Sequence, residues 1–155
     1  MVMTTQQKTQ ARKSGTPGAF SRWIQRTMNA RTTTKIRKGR ARMMGMDVLI
    51  LKTVGRRSGE PRETPLAWFA EDNAWLVVAS GGGSHHPDWH ANLMTHPDQA
   101  AVELPGSTPT PVTPHTLTGP ARDAAWQRIT RTQPRYAKYQ KKSAREYPVV
   151  RLTPR

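Results

Sequence analysis

The chain has 155 residues, the length of a single domain, and 35% of them are hydrophobic, enough for a modest core. It contains no cysteine, which excludes disulfides, thiol nucleophiles and cysteine-ligated metals. Its 25 Lys and Arg residues against 10 Asp and Glu residues give a formal net charge of +15, which points to nucleic acid, an anionic membrane face or a polyanionic ligand as a partner.

The amino-terminal part carries much of this charge, since every charged residue from Lys8 to Arg42 is basic. Residues 1–18 lack the apolar content of a folded segment, and we predict a disordered basic leader. Residues 19–42 predict an amphipathic helix followed by a solvated basic connector, with apolar residues at helical spacing: Phe20, Trp23, Ile24 and Met28. The stripe either packs on the domain or lies on an anionic membrane surface.

No apolar run approaches the roughly 18 residues of a membrane span, and the amino terminus lacks the apolar region of a secretory signal. We therefore expect a cytoplasmic protein. If residues 19–42 bind lipid, the protein would also be found as a peripheral protein at the inner face of the cell membrane.

Residues 43–155 predict a mainly β domain with flanking helices (α+β). Strands are predicted at 47–54, 64–70, 75–79, 100–104 and 147–152, with a further one at 112–117 and a proline-rich loop over 105–114. Helices are predicted from about 86 and from 119, the latter with an apolar face of Ala124, Ala125, Trp126 and Ile129. Because the connections are short, we expect antiparallel pairing and a sheet that curls into a barrel.

The first candidate site is the turn from Gly55 to Gly59, which contains Arg56, Arg57 and Ser58 and is followed by Arg62. Its glycines allow a tight turn, and guanidinium groups bind phosphate or carboxylate in bidentate fashion. The sequence is neither a Walker A loop nor a dinucleotide fingerprint. An ordinary charged hairpin turn is the alternative.

The second candidate site is Ser80-Gly81-Gly82-Gly83, directly after a predicted buried strand. Consecutive glycines permit close approach to a flat ligand, although a flexible hairpin would look the same. The histidines that follow lack zinc spacing, so we expect no metal. Neither a Ser-His-Asp triad nor a carboxylate pair is visible, so an enzyme built on this sequence needs a cofactor to carry the chemistry.

Three motifs follow one another along the chain: GRRSGxPRxTPL, the strand that leads into ASGGG, and HPDWHANLxxHP. In this order and at this separation they resemble the motifs of the deazaflavin (F420)-dependent nitroreductase family, within the split β-barrel flavin and deazaflavin oxidoreductases. The match is close over residues 46–104. It implies an antiparallel, FMN-binding-like split β-barrel that binds coenzyme F420 (8-hydroxy-5-deazaflavin). The implied reaction is hydride transfer from the reduced deazaflavin to a quinone, enone or nitroaromatic acceptor.

The resemblance also assigns residues by position. It places the cofactor phosphate and tail on Arg56, Arg57, Ser58 and Arg62, and the ring and its chain on Pro65, Val78, Ser80, Gly82, Gly83, Trp89 and Asn92. Tyr136, Tyr139 and Gln133 fall on the substrate side, with Tyr136 or Ser80 as the catalytic hydroxyl. Two positions depart from the family: Gly81 stands where some members have lysine, and Gln133 where some have tyrosine.

Two other functions fit parts of the sequence. A non-catalytic basic β-barrel could bind nucleic acid or an anionic membrane, but only Phe20 and Trp23 accompany the basic residues of the leader, so we expect no nucleic-acid partner. An FMN-dependent oxidoreductase with the same barrel is chemically close. Split barrels commonly pair as homodimers, although no apolar stripe in this sequence requires it.

Overall fold

The computed structural model describes Thr33, Arg37, Arg42–Met43 and residues 45–81 and 84–155. Eight strands lie in these ranges: β1 (Arg42–Met43), β2 (Met46–Val54), β3 (Pro61–Ala67), β4 (Phe69–Glu71), β5 (Ala74–Val78), β6 (Ala101–Glu103), β7 (Thr110–Thr116) and β8 (Val149–Pro154). The helices are α1 (Asp88–Thr95), α2 (Gly119–Thr132) and α3 (Arg135–Lys142), and a short 3-10 helix spans Pro97–Gln99.

The strands form one antiparallel sheet in the order β1-β2-β6-β7-β8-β5-β4, with β3 paired to β2. The long strand β2 organises one half, since β3 lies along Val48–Val54 on one side and β6 along Ile50–Lys52 on the other. In the other half, β8 lies between β5 and β7. The prediction of an antiparallel split β-barrel with flanking helices is confirmed.

Two groups of buried side chains fill this fold. The larger lies inside the curled sheet and contains Leu49, Leu51, Val77, Trp89, Leu93 and Leu152 among its members. The smaller lies under α2 and α3 and includes Leu76, Val78, Ile129, Tyr136 and Val149. Because side chains of a strand alternate between its faces, β5 and β8 contribute to both groups. These two strands therefore join the barrel to its helical layer.

Several predicted elements have different bounds in the structure. The strand predicted at 64–70 is two strands, β3 and β4, separated at Trp68. The loop predicted over 105–114 is wrong in its second half, because β7 begins at Thr110 and contains Pro111 and Pro114. Strand β6 pairs only with Thr110 and Pro111, so Pro114 has no neighbour on that side that needs its missing N–H. The apolar face of α2 is Ala125 and Ile129.

Ala124 lies exposed on α2, contrary to its predicted place in the apolar face.

The connector that was predicted to be solvated over residues 32–42 differs from the structure at Thr33. Thr33 is only 2% exposed, and both Thr33 and Arg37 are helical. Arg37 pairs with Glu63 on β3 at 2.8 Å and with Glu103 on β6 at 2.7 Å, so its side chain bridges the two strands that flank β2. The predicted leader at residues 1–18 and the whole predicted apolar stripe, from Phe20 to Met28, lie outside the described residues.

None of the helices in the described ranges is long and apolar enough to cross a membrane.

The end of β4, next to the turn that leads into β5, holds the acidic centre of an ion-pair network. Glu71 accepts hydrogen bonds from Arg151 at 2.9 Å and from Arg128 at 2.8 Å, which ties the sheet to α2. The hydrogen bond from Arg151 is the main cause that lowers the pKa of Glu71 from its ordinary value of 4.5. A carboxylate with a lowered pKa stabilises the fold above its unfolded pKa and loses that contribution as the pH falls.

We expect Glu71→Gln to lower the free energy of unfolding by about 1.5 kcal/mol at about pH 7. This is the lower end for hydrogen bonds to charged groups, because Arg128 is 51% exposed. As the pH falls below about 4.5 and through the lowered pKa, the wild-type carboxylate is protonated, and the two proteins should converge in stability. Urea denaturation across this pH range measures both effects.

Asp72→Asn is the matched control, because Asp72 lies exposed in the same turn at φ 49°, a conformation that Asn also tolerates. Its stability should stay within about 0.5 kcal/mol of wild type. An equal loss in both variants would show that the turn, and not the arginine pair, responds to the substitution.

Candidate active site

The first site is the turn that joins β2 to β3. The Gly55 N–H donates to the Glu60 carbonyl at 2.8 Å and the Gly59 N–H to the Gly55 carbonyl at 2.9 Å, which closes a compact loop. Gly59 adopts φ 69°, a left-handed conformation that favours glycine. A Cβ on Gly55 would collide with the Ser58 hydroxyl. The backbone conformation therefore favours glycine at position 59, and a side chain at position 55 would displace the Ser58 hydroxyl.

Helix α1 fixes this turn from the side. Asn92 is 6% exposed, and its side-chain carbonyl accepts the Arg56 N–H at 3.0 Å and the Arg56 guanidinium at 3.1 Å. The same guanidinium lies 3.3 Å from Asp88 in the first turn of α1. Asn92 and Arg56, both predicted to bind cofactor, thus bind each other and hold the turn against the helix.

The other basic residues of the turn remain at its surface. Arg62 donates to the Ser58 hydroxyl at 3.3 Å and lies 3.6 Å from Glu60. Arg57 is exposed, and within the part of the chain that the structure describes it has no ion-pair or hydrogen-bond partner. Arg57 is therefore available to bind an anion directly, and Arg62 can bind one together with the Ser58 hydroxyl that it already contacts.

The second site is the turn that begins at Ser80, where β5 ends. Arg145, between α3 and β8, donates to the carbonyls of Ala79 at 3.0 Å, Ser80 at 3.2 Å and Gly81 at 2.7 Å. Its guanidinium lies 4.8 Å from the centre of the Tyr147 ring. Gly82 and Gly83, the other predicted members of this turn, lie outside the described residues.

A cleft of about 350 Å³ opens beside this turn. Ser80, Tyr139, Lys142, Ser143 and Tyr147 line it. Tyr139 is 43% exposed, which leaves much of its ring available to a ligand. Two of the predicted residues, Ser80 and Tyr139, are therefore brought together by the fold.

The remaining acceptor-side residues lie elsewhere. Tyr136 is 8% exposed, its ring packs edge-on against Phe69, and its hydroxyl donates to the Met46 sulfur at 3.8 Å. Burial raises the pKa of Tyr136. Gln133 follows the end of α2, where its N–H donates to the Ile129 carbonyl. Neither side chain lines the cleft beside Ser80.

Three other predicted cofactor residues belong to the scaffold. Val78 is buried in the core under the helices, and Trp89 is buried in the core of the barrel. Pro65 lies half-buried in β3 opposite Ile50. The Trp89 ring also packs edge-on against His90 at 5.9 Å.

A histidine pair lies next to the Arg145 contacts. His86 shares a hydrogen bond with the Arg145 guanidinium through Nδ1 at 2.9 Å, and its ring lies 4.9 Å from His90. Burial, then the neighbouring charges of His86 and Arg145, lowers the pKa of His90 to about 4. Within the described residues, no His, Asp and Glu group suits a metal ion.

A flat anionic cofactor needs hydrogen-bond donors for its ring and cations for its tail. Within the described residues, the N–H groups of Ser80 and Gly81 have no acceptor, and Arg57 has no partner. Free amide donors suit the carbonyl oxygens and ring nitrogens of a flavin-like ring, and guanidinium groups suit phosphate and carboxylates. Helix α1 touches both halves, because Asn92 binds Arg56 and the preceding His86 binds Arg145. The residues present fit such a cofactor.

Sequence reasoning missed the residue that organises the second turn, Arg145, and the cleft residues Lys142, Ser143 and Tyr147. Arg145 closely follows the basic residues Lys138, Lys141 and Lys142 of α3, so it did not stand out in the sequence. The contacts of Arg145 join residues 64 to 66 positions apart, which local patterns do not reveal.

The antiparallel split barrel, with a basic turn on one hairpin and a backbone turn beside a tyrosine-lined cleft, has the fold and site features that the resemblance to split-barrel deazaflavin oxidoreductases implied. A family model described as F420H(2)-dependent quinone reductase matches residues 22–154. The chain belongs to this F420H(2)-dependent quinone reductase family. The prediction of an F420H2-dependent oxidoreductase of the split-barrel class is thereby confirmed.

Individual proteins agree with this assignment. An F420H(2)-dependent quinone reductase of Mycobacterium tuberculosis is 34% identical over 150 residues, which cover 88% of this chain and 99% of that protein. A solved F420-H2 dependent reductase is 33% identical with a TM-score of 0.59, covering 68% of this chain and 92% of that one. A solved domain-swapped dimer is 28% identical with a TM-score of 0.61, covering 86% and 99% respectively.

Proposed function

We propose that this protein oxidises reduced coenzyme F420 with a quinone, and that the reaction takes place in the cleft beside Ser80. The observation that carries the proposal is the turn at Ser80 and Gly81. Its carbonyls are bound by Arg145, its N–H groups have no acceptor among the described residues, and Ser80 lines the cleft. The family relationship supplies the cofactor and the acceptor class.

The basic turn is the proposed holder of the cofactor's phosphate and glutamate tail. Arg57 and Arg62, with the Ser58 hydroxyl between them in sequence, provide the cations and a hydrogen-bond donor. Arg56 contributes through its contacts with Asn92 and Asp88, which keep the turn in place. Gly82 and Gly83 keep their proposed place beside the ring, with Pro65, Val78 and Trp89 as the packed support behind it.

Tyr139 and Lys142 are the proposed acceptor-side residues. When bound in its reduced form, the deazaflavin supplies a hydride. Addition of a hydride to a quinone leaves negative charge on the quinone oxygen, and one proton completes the hydroquinone. Lys142 and Ser80 line the same cleft, and we propose that the Lys142 ammonium and the Ser80 hydroxyl stabilise that charge. The exposed Tyr139 ring offers a flat surface to a planar acceptor.

Enones and nitroaromatics share the electron-poor character of quinones, and we propose them as secondary acceptors. Of the two hydroxyls predicted as catalytic, Ser80 is favoured over Tyr136. Ser80 lines the cleft, whereas the Tyr136 hydroxyl is directed at the Met46 sulfur within a buried cluster. Tyr136 then supports the Tyr139 ring, which it contacts edge-on at 6.1 Å.

The basic turn gives the first test of this function. Arg57→Ala and Arg62→Ala should each weaken binding of oxidised F420 by about 1.5–3 kcal/mol, the range for hydrogen bonds to charged groups. Wild-type affinity should also fall as the salt concentration rises. Quenching of intrinsic tryptophan fluorescence reports the dissociation constant.

Arg131→Ala, which removes an arginine from the last turn of α2, is the control and should bind like wild type. Unchanged affinity in Arg57→Ala and Arg62→Ala combined would remove the anion site from this turn. Tight binding of FMN in place of F420 would instead favour the related flavin enzyme.

The acceptor side is tested with a pair of hydroxyl deletions. Ser80→Ala should lower the rate of F420H2 oxidation by a menaquinone analogue by tens of fold, at about 1.4 kcal/mol for each factor of ten. Tyr136→Phe should keep nearly the wild-type rate, because it removes a hydroxyl that faces Met46. Stopped-flow absorbance under single-turnover conditions measures both. The reverse outcome, a slow Tyr136→Phe and a fast Ser80→Ala, would assign the hydroxyl role to Tyr136.

We also propose that residues 19–42 attach the protein to the cytoplasmic face of an anionic membrane. A lipid-soluble quinone would reside in that membrane. A variant that lacks residues 1–32 keeps Thr33 and Arg37, and thus the ion pairs with Glu63 and Glu103. It should bind F420 like the full chain but no longer sediment with vesicles that contain anionic lipid. Vesicles of neutral lipid are the control, and retained sedimentation of the shortened chain would reject the proposal.

A homodimer is a further proposal, supported by the domain-swapped dimer among the similar structures. A solution mass by light scattering of 17.4 kDa, the mass of one chain, would argue against it.

A further inference from the structure

Arg145 makes more polar contacts around the proposed cofactor turn than any residue of the turn itself. Its Nη1 donates to the Ala79 carbonyl and shares a hydrogen bond with His86, and its Nη2 donates to the carbonyls of Ser80 and Gly81. The guanidinium also stacks over the Tyr147 ring at 4.8 Å. One half-buried side chain therefore binds three consecutive backbone carbonyls.

The geometry requires a guanidinium. Its planar fork presents several N–H donors in fixed directions, and its flat face stacks on an aromatic ring. A lysine ammonium is a point charge that cannot bind three carbonyls and stack at the same time. Arg145→Lys therefore keeps the charge but removes most of this contact set.

The contacts have a consequence for the opposite side of the turn. In a trans peptide, the carbonyl of one residue and the N–H of the next point in opposite directions. No cis peptide bond occurs in the described residues. Since the carbonyls of Ala79 and Ser80 point at Arg145, the N–H groups of Ser80 and Gly81 point away from it. Those are the donors that have no acceptor in the described part of the protein.

We propose that Arg145 is a positioning residue for the cofactor. It binds the turn by its carbonyls and so presents the N–H groups of Ser80 and Gly81 to the carbonyl oxygens and ring nitrogens of the deazaflavin. The inference rests on the proposed location of the cofactor beside this turn. Arg145 acts through the backbone, so its loss should reduce cofactor affinity beyond any effect on stability.

The chain provides a matched control on the other side of Tyr147. Arg122 donates to a backbone carbonyl, that of Tyr147, at 2.8 Å, and its guanidinium lies 5.1 Å from the centre of the Trp126 ring. It also pairs with Glu146 at 2.8 Å. Arg122 thus makes the same kinds of contact without touching the turn at Ser80. Arg122→Lys measures what such a substitution costs the fold alone.

The experiment compares Arg145→Lys with Arg122→Lys in the full chain. Tryptophan quenching gives the dissociation constant for oxidised F420 without turnover, and urea denaturation gives the stability of the same samples. We expect Arg145→Lys to bind F420 at least about tenfold more weakly than wild type, as for the loss of one or more hydrogen bonds from a charged group. Arg122→Lys should bind like wild type, with a similar loss of stability.

Chemical rescue provides the second measurement. Added guanidinium ion, at concentrations far below those that denature, should restore part of the F420 affinity of Arg145→Ala and leave wild type and Arg122→Ala unchanged. Affinity within twofold of wild type in Arg145→Lys, equal losses in the two lysine variants, or failure of both Arg145 variants to fold would each overturn the positioning role. If wild type itself binds no F420, the proposed function fails instead.

Discussion

The antiparallel pairing of β5 with β8 sets the position of the turn at Ser80 relative to Arg145 and Tyr147 in the candidate site. Its last register pair is Val78 with Val149, followed by the hydrogen bond from the Ala79 N–H to the Pro148 carbonyl. Beyond this point both strands leave the sheet at the same end: β5 continues into the turn at Ser80, and β8 is preceded by the segment that contains Arg145 and Tyr147. The turn therefore lies beside that segment. A shift of one residue in this register would turn each β5 side chain to the other face and separate the turn from Arg145.

The second constraint is the connection between the two turns. The basic turn belongs to the β2–β3 hairpin, and the glycine-rich turn follows β5, so the sheet alone does not bring them together. Helix α1 does so, because Asn92 binds Arg56 while His86, just before the helix, binds Arg145. An unpaired buried amide would be costly, so the Asn92–Arg56 contact holds helix and hairpin in one arrangement.

The scarcity of acids shapes the electrostatics. With 10 acidic residues for 25 basic ones, some carboxylates are shared by two basic residues: Glu71 pairs with Arg128 and Arg151, and Glu63 with Arg37 and Lys52. Arg57 has no such partner among the described residues, and it lies in the turn proposed to hold an anionic ligand.

The sequence by itself determined the strands around 47–54 and 75–79, both turns and the family, because each depends on local alternation, glycine conformation or a contiguous motif. It did not determine that Tyr136 packs in a core while Tyr139 lines the cleft, since both lie on one short helix and only tertiary packing distinguishes them. Nor could it show Arg145 at the Ser80 turn. Those hydrogen bonds join positions 64 to 66 residues apart, and the β5–β8 register, which no local pattern encodes, brings them together.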